Sequence, residues 1–207
     1  KHYQDFVNTM YPTLRDNKDY TSIVNDKQYN RLQGYLEDAR DQGASIVELN
    51  SKNEPLTEVR KIAPTLLTGV TTEMDIMKNE IFGPILPILE YEHIEDAIQF
   101  INSRPRPLAF YYFDIDSARA DYVAGRTHSG HFGINQVLTH VAQDDLPFGG
   151  IGASGMGKYH GKEGFFSFSH ERSVMSNPVS PKLYSLKFIL PPYNKAAHKL
   201  LLKTLFR

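Results

Sequence analysis

Ile85-Leu86-Pro87-Ile88-Leu89-Glu90-Tyr91 opens the stretch from Ile85 to Asn135 whose reading decides the fold. The run is mostly apolar and of strand length. Helical spacing follows at Ile94, Ala97, Ile98 and Ile101. Pro105 and Pro107 end that helix, because proline lacks an N–H and pushes the residue before it out of helical geometry. Leu108-Ala109-Phe110-Tyr111-Tyr112-Phe113 is a second strand-like run, apolar on both faces. Asp114 or Asp116 is placed to cap a short helix through Ala124. Gly130 to Ile134 makes a third strand. Strand, helix, strand, helix, strand, with the strands apolar throughout, predicts an α/β fold with a parallel sheet covered on both sides. Pro87 cannot donate to a ladder, so its strand takes an edge position or carries a bulge.

Outward from this stretch, residues 1–16 read as a helix, with Tyr3, Phe6, Val7 and Met10 on one face. Asp16-Asn17-Lys18-Asp19 is a loop. Asn25 or Asp26 caps a second helix that buries Tyr29, Leu32, Leu36 and Ala39 and stops at Gly43. Ala44 to Leu49 is a short strand, and Ser51 to Arg60 a surface connection. On the other side, Gly149 to Gly164 is glycine-dense and irregular. Phe165 to Met175 alternates as a strand, with Phe166, Phe168 and Val174 on one face. Pro178, Pro181, Pro191 and Pro192 punctuate an extended tail, and Ala196 to Phe206 closes the chain as a helix.

The 207 residues are 41% hydrophobic with a formal net charge of -1. That supports a real core and gives no basic excess for nucleic acid. No apolar run has the length of a membrane span and no signal peptide pattern is present. There are 0 cysteines, which excludes disulfides, zinc thiolates and a thiol nucleophile within this chain and suits the cytoplasm. The chain opens on Lys1 inside an amphipathic pattern, so a piece of a longer protein is expected.

Single motifs carry little. Gly150-Ile151-Gly152-Ala153-Ser154-Gly155 matches G-x-G-x-x-G, but Asp144-Asp145-Leu146-Pro147 precedes it and Met156-Gly157-Lys158 follows. A dinucleotide fingerprint needs a strand leading in and an apolar helix leading out. A close-packed glycine turn is the better reading. Ser154 lacks the second glycine of a nucleophile elbow and reads as a turn serine. His128, His131 and His140 lack the spacing of a metal site, and no metal is expected. Glu80-Ile81-Phe82-Gly83-Pro84 is compact and has two readings. It is a strand lead-in with a capping acid, or a carboxylate that accepts ribose hydroxyls beside an aromatic packed on a flat ring.

Several segments taken in order resemble the aldehyde dehydrogenase superfamily. They are Glu80-Ile81-Phe82-Gly83-Pro84, Leu146-Pro147-Phe148-Gly149-Gly150, Ser154-Gly155-Met156-Gly157-Lys158-Tyr159-His160-Gly161 and Gly164-Phe165-Phe166-Ser167-Phe168-Ser169-His170. Met156 and Tyr159-His160-Gly161 are typical of the class 3 branch. The runs Asp19 to Asp26 and Arg104 to Ala109 resemble the bacterial coniferyl aldehyde dehydrogenases within it. The similarity runs from about Phe6 to about Val174.

This resemblance implies the parallel-sheet catalytic domain of the aldehyde dehydrogenase fold over residues 1–162, an oligomerisation strand over 163–177 and a tail over 178–207. It implies NAD or NADP as cofactor, a small aldehyde as substrate, with coniferyl or another aromatic aldehyde as the candidate, and a homodimer formed through the strand. Glu80 falls on the glutamate that contacts the nicotinamide-side ribose, and Phe82 on its phenylalanine neighbour. Asn135, Phe148 and His160 fall near the substrate pocket. The chain departs from the family's G-G-V-T-x-N-D run at His131 and Gln136. In the family a cysteine thiolate attacks the aldehyde, hydride passes to the nicotinamide, and a glutamate assists hydrolysis of the thioester. Both groups lie upstream of the matched segments, so an inactive fragment is expected. A standalone non-catalytic module of the same fold is the rival reading, because a fold does not fix a function.

Overall fold

The computed structural model describes residues 2–176 and, beyond them, Ala196, Lys199, Leu200 and Lys203. The predicted proline-punctuated tail lies outside the described residues, as does most of the last predicted helix, although those four positions are helical. The chain divides into two compact units, Lys1–Gln99 and Phe100–Arg207. The division falls within the stretch 1–162 that was expected to form one domain.

In the first unit, α1 (His2–Met10) ends well short of residue 16, because Pro12 cannot continue it. Only Val7 of its predicted face is buried; Tyr3, Phe6 and Met10 are exposed. The helix α2 (Asp26–Asp41) forms as expected, with Asn25 as cap: its side chain accepts a hydrogen bond from Gln28 N at 2.9 Å. Leu32, Tyr35, Leu36 and Ala39 make its buried stripe. They pack with Ile62, Leu67, Met74, Ile76 and Ile85 into one apolar cluster.

Against α2 lies a sheet in the order β1-β2-β3, made of β1 (Ser45–Glu48), β2 (Thr65–Thr68) and β3 (Ile85–Pro87). The strands β1 and β2 run antiparallel, while β2 and β3 run parallel around the short helix α3 (Asp75–Lys78). β2 and α3 were not legible beforehand. β3 is the outer strand of the three, and Ile88 N donates to Leu67 O at 2.8 Å. Backbone groups alternate along a strand, so Pro87 faces the open side and costs no ladder bond. The helix α4 (Ile94–Asn102) follows, as its spacing predicted.

In the second unit, β4 (Ala109–Tyr112) and β5 (His131–Ile134) pair in parallel around α5 (Ser117–Ala124). Asp116 caps α5, accepting from Ala118 N at 2.9 Å and Arg119 N at 3.3 Å. Ala120 and Val123 are its buried residues. Phe148 and Tyr159 exchange two backbone hydrogen bonds of 2.8 Å, closing a glycine loop between them. A Cβ on Gly150 would stand 2.2 Å from Ser154 O, so this is a turn in which only glycine fits. No strand leads into it, and the single helical turn Gly152–Ser154 lies within it.

The strand expected over Phe165 to Met175 is not formed. Gly161–Ser167 is instead the helix α6, and residues 168–176 have no regular structure. A lone strand has no ladder partner here, whereas a helix satisfies its own backbone: Gly164 N reaches His160 O at 3.0 Å and Phe168 N reaches Gly164 O at 3.3 Å. Among the described residues no helix is long and apolar enough to cross a membrane.

Candidate functional site

The Glu80 to Pro84 turn enters β3 at the rim of a cavity of about 750 Å³. The run 19–25 forms one wall, Gln28 and Arg31 of α2 another, and Glu80 and Phe82 a third. Both residues predicted to meet a cofactor therefore line one hollow. Phe82 holds φ at 49° and is 86% exposed. A bulky residue in the left-handed region is uncommon, and it persists only where surrounding contacts impose it.

Two consecutive residues of α2 make those contacts. Arg31 donates from Nη1 to Glu80 O at 3.0 Å and from Nη2 to Ile81 O at 2.6 Å. Its own pose is fixed by Gln28 Oε1 at 2.6 Å, the Tyr35 hydroxyl at 3.0 Å and the Tyr35 ring 5.0 Å away. Leu32 packs flush beneath: a Cβ on Gly83 would fall 2.6 Å from Leu32 Cδ1. Sequence reasoning missed Arg31. Its signal was a cation one position from the buried Leu32, on a helix whose other apolar-face neighbours face the core.

The opposite wall is tied to the strand region behind it. The Tyr20 hydroxyl donates to Ile62 O at 2.6 Å, and Ile23 N to Arg60 O at 2.8 Å. Burial, then the neighbouring Tyr3 and Tyr11, push the Tyr20 phenol above its usual range, so it remains a donor.

The remaining predicted residues lie in the second unit, where they separate into two groups. Asn135, at φ 52°, clamps the main chain of Asp114: Oδ1 accepts from Asp114 N at 3.0 Å and Nδ2 donates to Asp114 O at 2.7 Å. Its amide ties the end of β5 to the end of β4. The Asp114 carboxylate accepts from Arg119, Asp116 N and the Tyr112 hydroxyl. The Arg119 guanidinium first, then Asp116 N and Tyr112, hold Asp114 well below the usual carboxylate range.

Phe148 and His160 meet, their rings stacked with centroids 5.8 Å apart, and His140 lies 5.7 Å from Phe148 on a tilted plane. His131 stacks on His140 at 3.6 Å and 8°. Burial, then His140, lowers the His131 pKa. The two departures from the family run, His131 and Gln136, touch each other, with ring Nε2 and amide Nε2 at 3.0 Å. Nδ1 of His140 and Nδ1 of His160 are buried without a hydrogen-bond partner among the described residues. Ser154 is a turn residue: Oγ accepts from Ile151 N at 3.0 Å and donates to Ile151 O at 3.1 Å. Among the described residues no cluster of His, Asp or Glu is placed to hold a metal ion.

This fold and these motifs belong to the aldehyde dehydrogenase family, whose sequence profile matches residues 4–174; the chain is a member of that family. Among relatives, it is 47% identical over 205 residues to a probable coniferyl aldehyde dehydrogenase of Pseudomonas aeruginosa, covering 99% of this chain and 42% of that protein. A coniferyl aldehyde dehydrogenase of Pseudomonas sp. is 46% identical over 199 residues, covering 95% of this chain and 41% of that protein. Among solved structures, the substrate-bound state of Staphylococcus aureus AldH superposes with a TM-score of 0.75 at 39% identity, covering 98% of this chain and 42% of that one. A Mycobacterium tuberculosis aldehyde dehydrogenase complexed with NAD+ gives 0.63 at 32% identity, covering 71% of this chain and 30% of that one. The chain thus spans about two fifths of the length of the relatives it matches.

Proposed function

We propose that the protein to which this chain belongs oxidises an aldehyde to its carboxylic acid with NAD or NADP, and that an aromatic aldehyde of the coniferyl type is its substrate. The observation that carries the reading is the cavity in which Glu80 and Phe82 sit together. The 47% and 46% identities to proteins named coniferyl aldehyde dehydrogenases support the substrate, and the NAD+ complex of a relative supports the cofactor.

When bound, the nicotinamide accepts hydride from the substrate carbon. The residues of this chain bind and orient. The Glu80 carboxylate accepts hydrogen bonds from vicinal ribose hydroxyls, a task for an acceptor with two oxygens. Phe82 presents a ring face beside them. Phe148 and His160 shape the aldehyde side, and Asn135 acts there by fixing the end of β5. A thiol nucleophile cannot come from a chain with 0 cysteines, so the nucleophile comes from outside these residues, and the order of the family's motifs puts the glutamate base upstream with it. The same reading gives residues 163–177 an oligomer contact in a homodimer and places the protein in the cytoplasm.

The test compares the whole protein with the 207-residue chain in aldehyde-dependent reduction of NAD and NADP, using coniferyl aldehyde and an aliphatic aldehyde. The whole protein is expected to turn over coniferyl aldehyde faster, and the chain to be inactive. Turnover by the chain at the whole protein's rate would refute the division of labour. A whole protein indifferent to aldehyde would refute the activity. Light scattering that shows a strict monomer would remove the dimer.

A further inference from the structure

We infer that His131 is a positioning residue for the aldehyde side of the site: Gln136 holds its ring, in room that Gly133 leaves, flat against His140, and so fixes His140 against Phe148. This rests on the proposed reading of Phe148 and His160. The family's G-G-V-T-x-N-D run falls on residues 130–136, so its threonine falls on Gly133, a third departure beside His131 and Gln136. The three are coupled. A Cβ on Gly133 would stand 2.3 Å from Gln136 Nε2 and 3.0 Å from the Tyr111 ring, so a threonine there would evict the amide. Gln136 Oε1 accepts from the Thr139 hydroxyl, which turns Nε2 towards His131 Nε2 at 3.0 Å. An amide nitrogen only donates, so His131 Nε2 accepts and the neutral ring carries its proton on Nδ1. Protonation of His131 would set N–H against N–H. Burial, then His140, favour the same neutral form. The stack needs that neutrality, because His140 lies 3.6 Å away at 8° and is itself buried. A charge on either ring would be pressed against its neighbour out of reach of water. His140 Nδ1 has no hydrogen-bond partner among the described residues, so the pose of that ring rests on the faces around it. Those are His131, Tyr111 at 5.7 Å and Phe148 at 5.7 Å. Among the described residues, the titratable groups facing the pair are Tyr111 from β4, also 6.5 Å from His131, and, past Phe148, His160 at the start of α6.

The experiment measures KM for coniferyl aldehyde and for NAD or NADP in the whole protein and its variants, from about pH 6 to about pH 9, the range in which an imidazole changes charge. Gln136→Glu keeps the shape of the amide but replaces the donor with an oxygen that only accepts. It therefore favours a protonated His131, charged below a raised pKa and neutral above it. The ratio of its aldehyde KM to the parent's should be about one at about pH 9 and rise on the order of fivefold at about pH 6, since small displacements of binding groups have effects of that size or larger. The cofactor KM should stay within about twofold of the parent's throughout, because a general loss of structure would move both constants. In His131→Phe/Gln136→Glu the pH dependence of the aldehyde ratio should vanish, because the glutamate then has no imidazole to charge. A second arm tests the inference even where the glutamate variant does not fold. His131→Gly puts the family's residue back and removes the ring, and should raise the aldehyde KM on the order of fivefold across the range. His131→Phe should recover most of that loss, since a flat ring remains. A Gln136→Glu profile parallel to the parent's would overturn the inference. So would a pH dependence that survives in the double variant, or a parental aldehyde KM in His131→Gly. Phe148→Ala separates these failures from that of the underlying reading. If it raises the aldehyde KM, the reading of Phe148 survives them; if its aldehyde KM is parental, the reading and the inference fall together.

Discussion

Lys61 is 7% exposed and carries an ammonium with no carboxylate partner among its hydrogen bonds. It donates to three main-chain carbonyls, Leu14 O at 2.8 Å, Arg15 O at 2.7 Å and Asn17 O at 2.9 Å. Glu54 completes the clamp from the other side, accepting from Leu14 N at 2.9 Å and Arg15 N at 2.8 Å. The segment so held leads directly into the wall of the cavity that Glu80 and Phe82 line. Lys61→Met keeps the aliphatic stem and removes the three donors. Hydrogen bonds to a charged group are worth about 1.5–3 kcal/mol each. Removing the ammonium also removes its burial cost, which offsets part of the loss. The bond to Leu14 O is buried, while those to Arg15 O and Asn17 O are partly exposed, so water can recover the latter two. The net expectation is a destabilisation of about 3 kcal/mol. With a urea slope of about 1–3 kcal/mol per molar, the unfolding midpoint falls by about 1–3 M. Circular dichroism gives the midpoint, and hydrogen exchange at the amides of Leu14 and Arg15 localises the change. An unchanged midpoint with unchanged protection of those two amides would refute the reasoning.

Asn25→Ala removes the cap of α2 and should cost about 1 kcal/mol, read as a lower thermal midpoint that Asn25→Asp restores. Gly150→Ala forces a methyl onto Ser154 O, only 2.2 Å away; the loop must open, at about 1–3 kcal/mol, and the amides of Phe148 and Tyr159 should lose protection together. Asp114 is held below its ordinary value of 3.8 by Arg119, then by Asp116 N and Tyr112. Its contribution is therefore complete above that value and is lost as pH falls towards the folded value. Asp114→Asn should flatten the acid limb of the stability profile, and an unchanged limb would count against the network.

How much was legible depended on whether a signal was local. The cap at Asn25 and the stripe Leu32, Leu36, Ala39 lie within one helix, and α2 formed where they placed it. Asp116 capped α5 for the same reason. β2 escaped notice because four residues with two leucines show no period; a parallel pairing with β3 makes them a strand. The alternation from Phe165 to Met175 misled because period two describes a strand only when a partner supplies the ladder. In this chain the local i to i+4 bonds of α6 take Phe165 to Ser167, and residues 168–175 have no regular structure. The predicted face of α1 failed similarly, since Tyr3, Phe6 and Met10 have the spacing of a buried stripe but only Val7 finds a core.

By itself the sequence determined the family and the α/β class and singled out Glu80, Phe82, Phe148 and His160 as candidates, since ordered motifs and helical periods are properties of neighbours along the chain. Only the tertiary structure decided that Glu80 and Phe82 open onto one cavity, that Phe148 and His160 stack, and that the Asn135 amide is spent on Asp114. It alone revealed Arg31, which acts on carbonyls 49 and 50 positions away. The reason is physical: a hydrogen bond from a guanidinium to a main-chain oxygen reads position and direction, not side-chain identity, so it leaves no motif at the residues it holds.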